Sequence, residues 1–84
     1  IRDRYPTRAA QRGIQGWCLV SFTVDGLGNV VEETIEVVDA EPPNIFDRSS
    51  MRAATRFKFQ PRVIDGQGVE VSGVQYLFRY QLEE

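Results

Sequence analysis

The stretch of sequence that decides the fold is GWCLVSFTVDGLGNVVEETIEVV, residues 16–38. In residues 16–24 the side chains alternate between two faces, which is typical of a half-buried strand. One face would carry Cys18, Val20, Phe22 and Val24. Residues 25–29 hold two glycines and predict a turn, after which residues 30–38 return as the second strand of a hairpin. The alternation is imperfect around residues 30–33, which predicts a bulge or a twist there.

A helix is predicted on each side of this hairpin. Before it, Pro6 suits the first helical position, residues 7–12 favour a helix, and Gly13 is placed to end it. After it, residues 48–57 are predicted as the main helix, and Asp47 is the candidate for its N-cap. The hairpin therefore has helices available to cover one of its faces.

The clearest strand lies near the end of the chain, at residues 74–82. One face carries Val74, Tyr76, Phe78, Tyr80 and Leu82, and the other carries Gln75, Leu77, Arg79 and Gln81. Shorter extended pieces are predicted on both sides of a turn at residues 65–68. The order α-β-β-α-β predicts an α+β fold, with two helices on one face of a small antiparallel three-stranded sheet. Residues 1–84 are predicted to form one domain.

Composition argues against several classes of function. The 84 residues carry 10 basic and 12 acidic side chains, and this net charge of -2 disfavours a general nucleic-acid binder. The absence of histidine removes the commonest general base and transition-metal ligand. The single cysteine, Cys18, is predicted to be a buried structural thiol, with no zinc spacing around it. We expect no catalytic residues, no cofactor and no metal, so a small enzyme is the least favoured hypothesis.

No apolar run approaches the roughly 20 residues that span a bilayer. The chain begins at Ile1 without a methionine. These two features lead us to expect a piece of a longer protein, with any membrane anchor or targeting segment upstream of Ile1.

Two charged stretches stand out. Five carboxylates, at Glu32, Glu33, Glu36, Asp39 and Glu41, alternate along the second strand and the following loop, which predicts a solvated acidic face. Arg48, Arg52 and Arg56 recur every four residues on the main helix. Like charges at this spacing repel by about 0.2–0.5 kcal/mol per pair. The stripe is either solvated or paired within the domain, or it contacts anionic lipid head groups, peptidoglycan or another partner.

The position of the last strand in the sheet decides what it could do. Residues 74–82 contain no proline and only one charge, Arg79. A central or covered strand would need no further explanation. At an edge, the same strand would lack the usual protection and could accept an added strand from a partner.

The ordered set of motifs resembles the TonB C-terminal domain family, over residues 5–82. The matching residues are Tyr5-Pro6, Gly16, Val20-Ser21-Phe22-Thr23-Val24, Asp25-Gly26, Pro42, Phe46, Phe57-Lys58-Phe59-Gln60-Pro61 and Leu77-Phe78. The resemblance implies a periplasmic domain of an inner-membrane-anchored energy transducer from a Gram-negative bacterium. It also implies an ExbB–ExbD-type motor as a partner of the upstream region, driven by proton motive force. The cargo would be an iron chelate, cobalamin or a similar compound.

The resemblance further implies a binding site. The TonB box of an outer-membrane receptor would add as a strand beside the last strand of the domain, and the segment around Tyr-Pro would also contact the receptor. The residues implied are Arg4, Tyr5, Pro6, Val74, Gln75, Tyr76, Leu77, Phe78, Arg79, Tyr80, Gln81 and Leu82. The alternative is a TonB-like envelope domain that binds peptidoglycan or another periplasmic partner, with Arg48, Arg52 and Arg56 as a secondary contact. A monomer and a strand-exchanged dimer both remain open.

Overall fold

The computed structural model describes residues 5–82, in which two helices and three long strands follow the predicted order. The elements are α1 (Thr7–Gln11), β1 (Gly16–Val24), β2 (Val30–Glu41), α2 (Asp47–Ala54), β3 (Arg62–Ile64), β4 (Gln67–Val69) and β5 (Val71–Tyr80). Strands β3 and β4 pair with each other as a short separate hairpin, where two short extended pieces were predicted.

The main sheet has the strand order β2-β1-β5, and both pairings are antiparallel. Strand β1 is therefore central, and β5 lies at an edge. The predicted α+β class, with two helices and an antiparallel three-stranded sheet, is confirmed.

The core lies on one face of this sheet. The even-numbered side chains of β1, from Cys18 to Val24, are all buried. Ala9 of α1 and Ala54 of α2 belong to the same buried cluster, so both helices cover that face. Full burial of a large apolar side chain stabilises a fold by about 1.5–3 kcal/mol. Phe22, Phe46 and Phe78 are the three largest side chains buried in this way.

The bulge or twist predicted around residues 30–33 of β2 is seen as a bulge between Val31 and Glu36, and a second register shift, at Val38, was not predicted. The register shifts between Ser21 and Thr23 of β1, whose partners in β2 are Glu36 and Val31. The hydroxyl of Thr34 closes this gap: its Oγ1 accepts the Thr23 N–H at 2.8 Å and donates to the Val31 carbonyl at 2.6 Å. One side chain thus replaces the backbone bonds that the bulge removes.

Replacing Thr34 with valine should test this role. The change keeps the shape but leaves the Thr23 N–H without its acceptor, so we expect the free energy of unfolding to fall by about 1–2 kcal/mol. Urea denaturation would measure the change. Thr34→Ser keeps the hydroxyl and should lose clearly less. Equal midpoints for wild type and Thr34→Val would contradict the assignment.

The boundaries of the main helix differ from the prediction. Phe46, rather than Asp47, occupies the N-cap, and Asp47 Oδ1 instead accepts the backbone N–H of Asn44 at 3.2 Å. The helix ends at Ala54 instead of Phe57. The N–H of Phe57 bonds to the carbonyl of Ala54, three residues back, at 3.1 Å. This tighter turn leaves Phe57 free to pack against the core from outside the helix.

The register of β1 explains the other differences. Because Trp17 pairs with Glu41, β2 continues three residues past the predicted end at Val38. Because Gly16, the first residue of β1, pairs with Tyr80, β5 ends there. Gln81 and Leu82, predicted as strand, follow β5 as coil.

The first helix is also shorter than predicted. Pro6 is its N-cap, not its first helical residue, and α1 ends at Gln11. Gly13 has a φ of 70°, as expected for a glycine that follows a helix end.

Candidate functional site

The backbone groups on the outer edge of β5 can be identified from the register. The N–H of Thr23 bonds to Thr34 of β2, so the odd-numbered residues of β1 turn their backbone groups towards β2. The even-numbered residues therefore face β5, where Phe22 pairs with Val74 and Val20 with Tyr76. These are the hydrogen-bonded pairs of the β1–β5 ladder. The odd-numbered residues of β5 alternate with these pairs and consequently turn their N–H and C=O groups to the outer edge. They are Gln75, Leu77 and Arg79.

This edge has little protection against pairing. Within residues 5–82, no strand pairs with the outer side of β5. The side chains of Gln75, Leu77 and Arg79 are all exposed. Gly73, with a φ of 70°, forms a bulge near the start of the strand, and the rest of β5 pairs regularly with β1. The outer edge of β5 is thus suited to accept another strand.

The opposite edge of the sheet differs sharply. Strand β2 has register shifts at two places along its pairing with β1. It also carries the five carboxylates of the acidic segment, all of them exposed. Bulges and charges are the usual means of blunting an edge strand. The two edges are therefore not equivalent, and β5 offers the better one for pairing.

A shallow depression adjoins this edge on the sheet face opposite the helices. Its volume is about 610 Å³, and it is lined by Gln15, Gly16, Trp17, Leu77, Arg79 and Gln81. Trp17 is opposite Arg79, and Leu19 is opposite Leu77, in non-hydrogen-bonded pairs whose side chains come close together. Leu77 nevertheless keeps 39% of its surface exposed. The depression combines apolar side chains with one cation.

Tyr5 is held by the core. Its ring meets Phe46 and Tyr80 edge-on, at centroid distances of 5.7 and 5.5 Å, and its hydroxyl donates to the carbonyl of Ile14. Desolvation by burial raises the pKa of Tyr5. The Tyr5-Pro6 segment thus lies beside the Tyr80 end of β5, so the structure brings these two parts of the predicted site together. Arg4 lies outside the described residues.

The other predicted site residues of β5 face the core. Phe78 and Tyr80 are buried, and Val74 is half-buried against the same cluster. Tyr76 packs on Phe57 at 4.9 Å between ring centroids, yet 43% of it is exposed. Beyond the strand, Leu82 donates its N–H to Gln15 Oε1 at 2.6 Å. Gln15 was not predicted as a site residue. It precedes the alternating segment at residues 16–24, and that pattern assigns a face only to the residues within the segment.

The arginine stripe is divided by the end of α2. Arg48 and Arg52 line a second groove with Glu32, Ile35, Asn44, Asp47, Met51 and Thr55. Arg56 follows the helix in the turn and does not line this groove. Arg48 and Arg52 therefore share this groove, and the secondary contact predicted for all three arginines stays a prediction.

The two side chains that could act as nucleophiles, Cys18 and Ser50, are buried and have structural roles. Cys18 is buried, and desolvation is the main cause that raises the pKa of its thiol. Ser50 Oγ lies 2.7 Å from the Tyr80 hydroxyl, and both side chains are buried. Residues 5–82 contain no group of three His, Cys, Asp or Glu side chains arranged to hold a metal. In the same residues, neither helix has the length and apolarity to cross a bilayer.

Comparison with known proteins agrees with this architecture. The family described as Gram-negative bacterial TonB protein C-terminal matches residues 2–82. Protein TonB of Pseudomonas aeruginosa is 34% identical over 74 residues, which is 88% of this chain and 21% of that protein. Protein TonB of Vibrio cholerae is 28% identical over 83 residues, 99% of this chain and 33% of that protein. The chain thus spans a third or less of the length of these relatives.

Solved structures of relatives have the same fold. The solution NMR structure of the Pseudomonas aeruginosa TonB C-terminal domain superposes with a TM-score of 0.77 at 32% identity, covering 95% of this chain and 78% of that one. A structure of the TonB2 protein from Vibrio anguillarum gives 0.70 at 38% identity, covering 95% and 74%. The matched sequence, the order of elements and the shared fold agree: the chain belongs to the TonB C-terminal domain family.

Proposed function

We propose that this domain is the non-catalytic, receptor-binding part of a TonB-type energy transducer. A short extended segment of an outer-membrane receptor, its TonB box, would add as a strand to the outer edge of β5. The observation that carries this proposal is the edge position of β5, with the backbone groups of Gln75, Leu77 and Arg79 turned outward. Family membership supports the identity of the partner as an outer-membrane receptor.

Strand addition suits a domain that transmits force. The joint consists of several backbone hydrogen bonds, each with a net contribution of about 0.5–1.5 kcal/mol, loaded together along the strand. Backbone groups are the same in every receptor, so one domain could serve several receptors with little dependence on side chains. Because the edge formed by β2 is blunted, the receptor strand would attach only at the edge formed by β5.

Family membership supports a proposal for the setting of this interaction. The domain would lie in the periplasm of a Gram-negative bacterium and be tethered to the inner membrane by its upstream region. That region would work with an ExbB–ExbD-type motor, and the transducer would couple proton motive force to uptake of an iron chelate or similar cargo. The buried positions of Cys18 and Ser50 support a role without catalysis.

The Tyr5-Pro6 segment would form a second contact with the receptor. Tyr5 is fixed against Tyr80, so the residues next to it are held close to one end of the proposed strand joint. The groove beside Arg48 and Arg52 is the place where peptidoglycan or another anionic partner would bind in the alternative function.

An NMR titration of the domain with a TonB-box peptide tests the proposal. We expect the amides of Gln75, Leu77 and Arg79 to shift most and to become protected from hydrogen exchange, because their N–H groups would enter the new ladder. The amides of Val74 and Tyr76, already bonded to β1, should change less.

A peptide of the same length, in which proline replaces every residue whose N–H would point towards β5, serves as the control, since it cannot pair along the edge. Shifts confined to residues outside β5, or no shifts at millimolar peptide, would reject strand addition. In that case, peptidoglycan fragments with readout at Arg48 and Arg52 would test the alternative.

A further inference from the structure

We infer that the sheet face opposite the helices is a docking surface for a cationic amphipathic helix of another protein. Apolar side chains of that helix would cover Trp17, Leu19 and Leu77, and its basic side chains would lie over the acidic strand β2. The contact is made by side chains on the face of the sheet, not by backbone pairing at its edge. The inference therefore goes beyond the proposed function and does not depend on it.

The centre of this open face is apolar. The even-numbered residues of β1 are buried in the core, so the odd-numbered ones point to the open face. Trp17 and Leu19 are half-buried there, while both helices pack on the other side of the sheet. Leu77, the partner of Leu19, keeps 39% of its surface exposed. A face that meets water usually carries polar side chains at such positions, so these three indicate a contact surface.

The β2 side of the same face is acidic. Directly paired residues of neighbouring strands present their side chains on the same face. The register pairs three residues on this face of β1 with carboxylates of β2: Trp17 with Glu41, Leu19 with Asp39, and Ser21 with Glu36. All three carboxylate residues are exposed. A row of negative charge thus borders the apolar centre along one side.

The charge of the face identifies the kind of partner. Arg79 of β5 supplies one positive charge, against three negative charges from β2. Anionic lipid head groups and nucleic acids would therefore be repelled, and a second copy of the domain would bring the same excess of negative charge. A segment with an apolar stripe bordered by lysine or arginine would complement both the apolar centre and the acidic border.

The topology favours a helix over a strand as the docked element. Strand β1 is bonded on one side to β2 and on the other to β5, so a partner above it can make side-chain contacts only. A helix laid along β1 would add a third layer, as in folds where helices cover both faces of a sheet. Amphipathic helices place charged residues beside their apolar stripe. The shallow depression at Trp17 and Leu77 would receive one apolar side chain of the helix.

Fluorescence of Trp17, the only tryptophan, reports directly on this surface. The probe is a helical peptide of leucine and lysine with one apolar and one basic side, and the control is the same peptide with glutamate in place of lysine. We expect the lysine peptide to shift the Trp17 emission to the blue and to bind at least about tenfold more tightly than the glutamate peptide. Equal affinities, or an unshifted emission at saturation, would overturn the inference.

Charge removal at two places on β2 separates the face from general attraction to an acidic strand. The double variant Glu36→Gln, Glu41→Gln should weaken binding of the lysine peptide about three- to tenfold, as for two exposed charge pairs. The double variant Glu32→Gln, Glu33→Gln removes the same charge from the same strand, and Glu32 lines the groove beside α2 instead. It should weaken binding less than about twofold. Equal weakening by the two double variants would contradict docking on the open face.

The apolar part of the contact has its own test. Leu19→Thr keeps a residue suited to a strand and should weaken binding of the lysine peptide about three- to fivefold. Val63→Thr makes a similar change on β3, where Val63 is 61% exposed, and should leave the affinity unchanged. Far-UV circular dichroism confirms that the sheet of each variant is intact. If the Trp17 emission instead shifts with the concentration of the domain alone, a second copy covers this face and the inference falls.

Discussion

Replacing Phe46 with alanine is expected to lower the free energy of unfolding by about 3–5 kcal/mol, the range for a fully buried phenylalanine. Phe46 has no exposed surface. Its ring stacks on Tyr80 with centroids 4.1 Å apart and an interplanar angle of 9°, and it also receives the edge of Tyr5. Removing the Phe46 ring would therefore leave a cavity between α2, the end of β5 and the segment that carries Tyr5.

This loss is large for a domain of this size. At about 0.05–0.15 kcal/mol per residue, 84 residues provide a total stability on the order of 4–13 kcal/mol. At the lower end of this range, Phe46→Ala would reach its unfolding transition at room temperature; at the upper end it would stay folded with clearly reduced stability. Urea denaturation followed by fluorescence of Trp17, the only tryptophan, measures the effect.

The neighbouring residue offers a matched control. Ile45 precedes Phe46 in the same loop and is 38% exposed. Ile45→Ala should change the free energy of unfolding by about 0.5 kcal/mol or less, as is usual for surface substitutions. A loss below about 1 kcal/mol for Phe46→Ala would mean that the aromatic contacts around Tyr80 do not anchor the domain.

The strand pattern could be predicted because it is a local property of the sequence. Alternation in residues 16–24 placed Cys18, Val20 and Phe22 on one face, and the structure buries all three. The failed alternation after Val30 likewise located the bulge. A period of two residues is set by the geometry of the strand itself, whatever packs against it.

The ends of α2 could not be predicted because they depend on tertiary contacts. Asp47 has good capping propensity, yet Phe46 takes the N-cap position, where its ring is buried against Tyr80. Phe57 continues the helical pattern in the sequence, but it packs against Phe22 and Phe78 after the helix has ended. In both cases burial of an aromatic ring outweighs local preferences worth about 1 kcal/mol.

The candidate site was only partly predictable for a similar reason. The sequence of β5 fits a central strand as well as an edge strand, because both present an apolar face. Only the pairing order β2-β1-β5 decides between them, and it depends on contacts between distant parts of the chain. The depression beside Arg79 likewise forms only when Trp17 of β1 is aligned with it.

Replacing Leu77 with proline should abolish most of the peptide affinity while leaving the domain folded. The register turns the Leu77 N–H away from β1, so its loss removes no bond of the β1–β5 ladder. Proline is tolerated at such outward positions of edge strands. Its ring would remove one donor from the outer edge and occupy space that the added strand needs. We expect peptide affinity to fall at least about tenfold, or about 1.4 kcal/mol.

Two variants separate the backbone from the side chain. Leu77→Ala removes the apolar contact but keeps the N–H, so it should weaken binding only about two- to fivefold. Tyr76→Pro removes an N–H that bonds to Val20 of β1, and leaving that carbonyl without its donor should destabilise the fold by about 1–3 kcal/mol. Peptide titrations and urea denaturation of the three variants give both quantities. If Leu77→Pro binds the peptide as well as Leu77→Ala does, the partner does not pair with the outer edge of β5. If Leu77→Pro unfolds as Tyr76→Pro does, the assignment of outward-facing groups is wrong.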